Sequence, residues 1–115
     1  MSRVALVTGS ARGIGRAIAL ALAADGHRVT VADILDEEAQ RTAAEIGGHA
    51  VHLDVTETAQ VQKAIAEAEK TLGPVEILVN NAGWDEFRQF VDSDEAFWDR
   101  VIELNFKACL RTCRH

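Results

Sequence analysis

Short runs of apolar residues alternate along this chain with longer stretches in which apolar positions recur every three to four residues. Val4-Ala5-Leu6-Val7 and Val29-Thr30-Val31-Ala32 are nearly continuous in apolar side chains, the pattern of strands covered on both faces. Val51-His52-Leu53 is a shorter candidate, and Val75 to Val79 follows the only proline, Pro74, in a Gly-Pro turn signal. Between the strands the period lengthens to about 3.6. Ile14, Ile18, Ala21 and Leu22 form one stripe of a helix from about Gly13 to Asp25, with Gly26 as its stop. Asp36 to Ile46, closed by Gly47-Gly48, reads as a second helix. Glu57 to Leu72, with Val61, Ala64, Ile65 and Ala68 on one side, reads as a third. Strands joined by helices in this order predict parallel neighbours with right-handed crossovers, an α/β sheet with helices on both faces.

From about residue 93 the pattern is helical to the last residue. Trp98, Val101, Ile102, Asn105, Ala108 and Cys109 fall on one face, and Arg100, Glu103, Lys107, Arg111 and Arg114 on the other. Glu103 and Lys107 stand in the favourable i, i+4 orientation. Asn105 therefore lies on an apolar stripe and needs a partner, either nearby backbone groups or a bound water at a local helix irregularity. No Gly or Pro ends this helix before His115. Residues 1–115 are expected to form a single domain, truncated within that helix.

Composition narrows the function classes. Eighteen acidic residues against twelve Lys and Arg give a formal charge of −6, which argues against a nucleic-acid partner. No apolar run approaches a bilayer span and the start lacks a secretory signal pattern, so a cytoplasmic protein without a membrane partner is expected. Cys109 and Cys113 are expected to be free thiols, buried or partly buried, and the four histidines have no ligand spacing, so no metal site is expected. There is no tyrosine at all.

After the first predicted strand comes Thr8-Gly9-Ser10-Ala11-Arg12-Gly13-Ile14-Gly15, running straight into a helix. Glycines there let the backbone approach an anion, and the N–H groups and dipole of the helix start favour a pyrophosphate. Gly9, Ser10, Arg12, Gly13, Ile14 and Gly15 are thus candidate cofactor-binding residues. No Lys-Ser or Lys-Thr follows the last glycine, so this is no nucleoside-triphosphate loop. Asp33 ends the second strand about 20 residues further on, where a carboxylate accepts from both hydroxyls of an adenosine ribose and repels a 2′-phosphate. That favours NAD over NADP. Arg12, able to pair with a 2′-phosphate, is the dissenting residue.

The fourth strand ends in Asn80-Asn81-Ala82-Gly83, whose amides can tie neighbouring strand ends together beside a flat ring. With Thr8-Gly9-x-x-x-Gly13-x-Gly15 and with Asp54 in Leu53-Asp54-Val55, the chain resembles the short-chain dehydrogenase/reductase family over nearly its whole length. The resemblance implies a Rossmann-type doubly wound parallel sheet, here incomplete, with about four strands in the order 3-2-1-4. It implies that Gly9, Gly13 and Gly15 line the pyrophosphate with Ile14 beside the cofactor, and that Asp33 takes the ribose. Asp54 and Val55 would take the adenine, and Asn81, Ala82 and Gly83 would border the nicotinamide side. Asn105 matches the family's helix asparagine, which supports a water in the proton relay.

The family moves a hydride between a nicotinamide and an alcohol or carbonyl carbon of a small-molecule substrate. Its Tyr-x-x-x-Lys pair and its serine are missing from this chain, which by itself is expected to be inactive: the cofactor-binding half of a homo-oligomeric enzyme. Trp84-Asp85 resembles hydroxyacyl-CoA dehydrogenases of the family, while Trp84, Phe87 and Phe90 also suit plain packing on the next helix. Two other readings stay open: a dinucleotide-binding module without catalysis, and a methyltransferase, which predicts no Asn-Asn-Ala-Gly.

Overall fold

A computed structural model describes residues 2–84 and 88–115. Four parallel strands form one sheet in the order β3-β2-β1-β4: β1 (Val4–Thr8), β2 (Arg28–Asp33), β3 (His49–His52) and β4 (Ile77–Val79). The connecting helices are α1 (Gly13–Ala24), α2 (Asp36–Ile46) and α3 (Thr58–Leu72), within a residue or two of the boundaries that the periodicity predicts. The third strand begins two residues earlier than expected, because His49 already pairs with Thr30 of β2. The fourth is shorter, Ile77 being the first residue in register with β1.

Alternation along the buried strands divides the core in two. Ala5, Val7 and Val29 pack with Ala19, Ile18 and Leu22 of α1, and Val31 packs with Ala39 and Ala43 of α2. Leu6, Ala32 and Val51 face the opposite side, against Val61, Ala64, Ile65 and Ala68 of α3. Both faces of the sheet are covered, as the continuous apolar strand sequences require.

The C-terminal helical stretch departs from a regular 3.6 period. It comprises α4 (Glu95–Ile102), a π-helical turn over Glu103–Lys107 and α5 (Ala108–Arg114). Asp94 caps α4 by accepting the Phe97 amide at 2.8 Å. The wider π turn rotates α5 relative to α4, so the expected apolar stripe is buried only in part. Trp98 and Ile102 remain 39% and 46% exposed, and Asn105 is exposed, whereas Ala108 of the stripe is buried, as is Thr112, which the stripe does not include. Cys109 is partly buried but Cys113 is exposed, against expectation; both are free. Among the described residues no helix is long and apolar enough to cross a membrane.

Candidate functional site

Strand register sets the site. Thr8 pairs with Ala32 and Val7 with Val79, so the carboxyl ends of β1, β2 and β4 finish level with one another. The helical connections leave in opposite directions on either side of β1, which opens a crevice at this edge. A cavity of about 680 Å³ lies there, within the usual size range of small-molecule sites. Its walls are Gly9, Arg12 and Gly13 after β1, Asp33 to Leu35 after β2, Leu53 to Thr56 after β3, and Asn81 to Trp84 after β4. Arg100, Glu103 and Leu104 close it from the C-terminal helix.

Thr8 knits the strand ends together. Its buried hydroxyl oxygen accepts from the amides of Asn81 and Ala82, each at 3.0 Å, and the hydroxyl donates to the Val79 carbonyl at 3.5 Å. Asn81 Nδ2 donates to the Gly9 carbonyl at 3.1 Å. Asn80 turns away, its Oδ1 accepting from Thr112 of α5. The two adjacent asparagines thus hold different elements, and only Asn81 lies in the cavity wall.

Steric room explains two of the glycines. A Cβ on Gly15 would lie 2.2 Å from the Gly9 carbonyl oxygen and 2.4 Å from Asn81 Nδ2, so the loop closes on β4 only with glycine there. Gly13 has φ +63° and nothing within 4 Å of where a Cβ would stand. At this point the loop needs a left-handed residue and presents bare backbone. Among the described residues no side chain caps the start of α1, and its first turn holds no acid. The unpaired amides of that turn suit an anion.

Asp33 is held by its surroundings. Its Oδ2 accepts from the Ala11 amide at 3.0 Å and its Oδ1 from the Leu35 amide at 3.2 Å. A carboxylate offers about four acceptor positions, so each oxygen retains one. Asp54 Oδ1 accepts from the Thr56 amide at 2.9 Å and its hydroxyl at 2.6 Å, forming a turn beside Val55. These groups, the bare glycine loop and the length of the crevice from β3 to β4 fit a dinucleotide.

Other expected residues sit elsewhere. Ser10 is fully buried, donating to the Val7 carbonyl at 2.6 Å and accepting the Ala32 amide at 3.2 Å, so its hydroxyl braces the loop from beneath. Gly15 lies behind the cavity wall, and Ile14, 76% exposed, projects from the first turn of α1 outside it. Asn105 is also outside the wall; both polar atoms of its side chain are taken by the backbone of Trp84. Trp84 packs edge-on against Phe97 and Phe90 stacks on Trp98, as the packing reading has it. Asp85 and Phe87 lie outside the described residues.

The charged face of the C-terminal helix contributes Arg100 and Glu103 to the cavity, joined by Leu104. Their signal was the i, i+3 and i, i+4 spacing from Arg100, legible only once a cavity stands opposite. Glu103 is held below the ordinary glutamate value of 4.5, mainly by its hydrogen bond with Arg111 and then by that with Lys107, whose Nζ lies 3.2 Å away. Arg111 Nη1 also donates to the Val55 carbonyl at 3.5 Å, linking α5 to a loop in the cavity wall. Among the described residues no group of three or more His, Cys, Asp or Glu is placed to hold a metal ion.

Comparison with known proteins shows the family and the fold. The family model for short chain dehydrogenase matches residues 3–115. A sorbitol dehydrogenase of Cereibacter sphaeroides is 44% identical over 110 residues, covering 94% of this chain and 43% of its own. A galactitol 2-dehydrogenase of Agrobacterium fabrum is 41% identical, covering 92% and 42%. The crystal structure of an alcohol dehydrogenase from Thermococcus sibiricus, complexed with 5-hydroxy-NADP, superimposes with a TM-score of 0.92 at 31% identity. That match covers 99% of this chain and 51% of the other. The chain spans less than half the length of the two curated relatives.

Proposed function

The chain belongs to the short-chain dehydrogenase family, and from that premise we propose that it is the cofactor-binding part of an NAD-dependent oxidoreductase. Its reaction moves a hydride between the nicotinamide and a secondary alcohol or carbonyl carbon. The reading rests above all on Asp33, a carboxylate in the cavity wall fixed by two backbone amides and retaining acceptor positions for ribose hydroxyls. The amides at the start of α1, with Gly9 and Gly13, seat the diphosphate; Asp54 and Val55 border the adenine; Asn81, Ala82 and Gly83 border the nicotinamide half. The nicotinamide, when bound, supplies the hydride chemistry. Asn105 acts on the site through the Trp84 backbone and supports the proton relay from there.

The absence of tyrosine removes the family's acid/base from this chain, which alone is inactive in dehydrogenation. The names of the relatives, sorbitol and galactitol dehydrogenases, support an alcohol as the small-molecule substrate. Two free thiols fit a reducing, cytoplasmic setting. The exposed apolar side chains of Trp98, Ile102, Phe106 and Leu110 on the C-terminal helix suit association of the whole enzyme with copies of itself.

NADP is the second reading. Arg12 lines the same cavity as Asp33, and the Thermococcus relative was crystallised with an NADP derivative. The Asp33 charge opposes a 2′-phosphate. Calorimetric titration of the chain and of Asp33→Ala with both cofactors separates the two. NAD is expected to bind the unaltered chain more tightly, and the substitution to weaken NAD by about tenfold, as loss of a charge-assisted hydrogen bond does, while weakening NADP less. Equal losses for both cofactors overturn the assignment.

A further inference from the structure

Arg12 and Arg100 both line the cavity, and neither has a carboxylate partner among the described residues. This stands out in a chain with 18 acidic and 12 basic residues. The acids that share the cavity are each held by groups other than these two arginines. Glu103 is held by Lys107 and Arg111, Asp54 Oδ1 by Thr56, and Asp33 by the Ala11 and Leu35 amides.

Arg100 is nonetheless fixed in place. Its guanidinium carbon lies 3.8 Å from the centroid of the Trp84 ring. Trp84 is wedged edge-on against Phe97, with centroids 5.8 Å apart, and its backbone is gripped by Asn105. Stacking on an indole orients a guanidinium while leaving its N–H donors for a bidentate acceptor, a geometry that phosphate matches. A positioned cation in a concave site, with no ion pair among the described residues, suits an anion.

We propose that Arg100 is a phosphate-recognition residue of this cavity, binding a phosphate group of the nucleotide from the C-terminal helix. This rests on the dinucleotide reading of the cavity. The phosphate is either part of the diphosphate bridge or a ribose 2′-phosphate, and the two have separate probes.

Adenosine, ADP, 2′-AMP and NAD are titrated into the chain, into Arg100→Gln and into Arg100→Lys, with circular-dichroism melts as the check on folding. Arg100→Gln is expected to weaken ADP or 2′-AMP by about tenfold and to leave adenosine unchanged, with Arg100→Lys between. A loss confined to ADP assigns the contact to the diphosphate, and one confined to 2′-AMP assigns it to the ribose phosphate. Unchanged binding of both, or an equal loss for adenosine, overturns the role of Arg100 while the dinucleotide site stands. If the unaltered chain binds none of the four, the dinucleotide reading fails and this inference falls with it.

Discussion

Asn105 grips the backbone of Trp84 from both sides, its Oδ1 accepting the Trp84 amide at 3.1 Å and its Nδ2 donating to the Trp84 carbonyl at 2.7 Å. The asparagine sits within the π turn, and a Cβ on Gly83 would stand 2.7 Å from its Oδ1. Four consecutive features, the Asn81 amide, the small Ala82, the bare Gly83 and the clamped Trp84, thereby set how the β4 end lines the cavity. Asn105→Ala is expected to cost about 1 kcal/mol, the net worth of hydrogen bonds whose groups regain water. In a Trp98→Phe background the emission of Trp84 should change, since its packing on Phe97 and Arg100 loosens. An unaltered emission spectrum would show that the loop is held by other contacts.

Two glycines of one loop should respond differently to the same methyl group. Gly15→Ala places a Cβ 2.2 Å from backbone oxygen, and overpacking against backbone is expected to cost about 3 kcal/mol or more. Gly13→Ala meets no atom and should cost only about 1–2 kcal/mol for its left-handed conformation, while obstructing an anion at the start of α1. Urea denaturation of both variants checks the order, and similar costs would contradict the close approach of Gly9, Gly15 and Asn81.

Glu103 links stability to pH. Its folded-state pKa is depressed below 4.5, first by Arg111 and then by Lys107. The stabilisation is therefore present above the unfolded value and is lost as pH falls through the folded one. Glu103→Gln should lower the melting temperature at neutral pH, and the gap to the unaltered chain should close on acidification below the ordinary glutamate range. Thermal melts across that range test this, and a gap independent of pH would show that the carboxylate charge contributes nothing.

Much of the fold was legible because local signals and global packing agree. Asp36 to Ile46 is helical at the expected residues, with Asp36, Glu37 and Glu38 in its first turn complementing the helix dipole. The buried strands announced themselves by continuous apolar sequence, and Asp33 and Asn81 of the two motifs lie in the cavity wall. The features that escaped depend on long-range pairing or on a local change of period. Thr8 reads only as the opening residue of the glycine loop, yet its hydroxyl serves amides 73 and 74 positions away. Ser10 reads as a cofactor-binding loop residue, but its hydroxyl is taken by the strands beneath, donating to the Val7 carbonyl of β1 and accepting the Ala32 amide of β2. The apolar stripe holds at Ala108 but not at Trp98 and Ile102, because the π turn between them breaks the period on which the stripe was extrapolated.

The most direct test is a crystal of the chain soaked with NAD. The diphosphate is expected against the amides at the start of α1, between Gly9 and Gly13, with the adenosine ribose hydroxyls donating to the Asp33 carboxylate. Nucleotide density at the opposite edge of the sheet, or the crevice filled by Trp84 and Arg100 with no nucleotide bound, would contradict it.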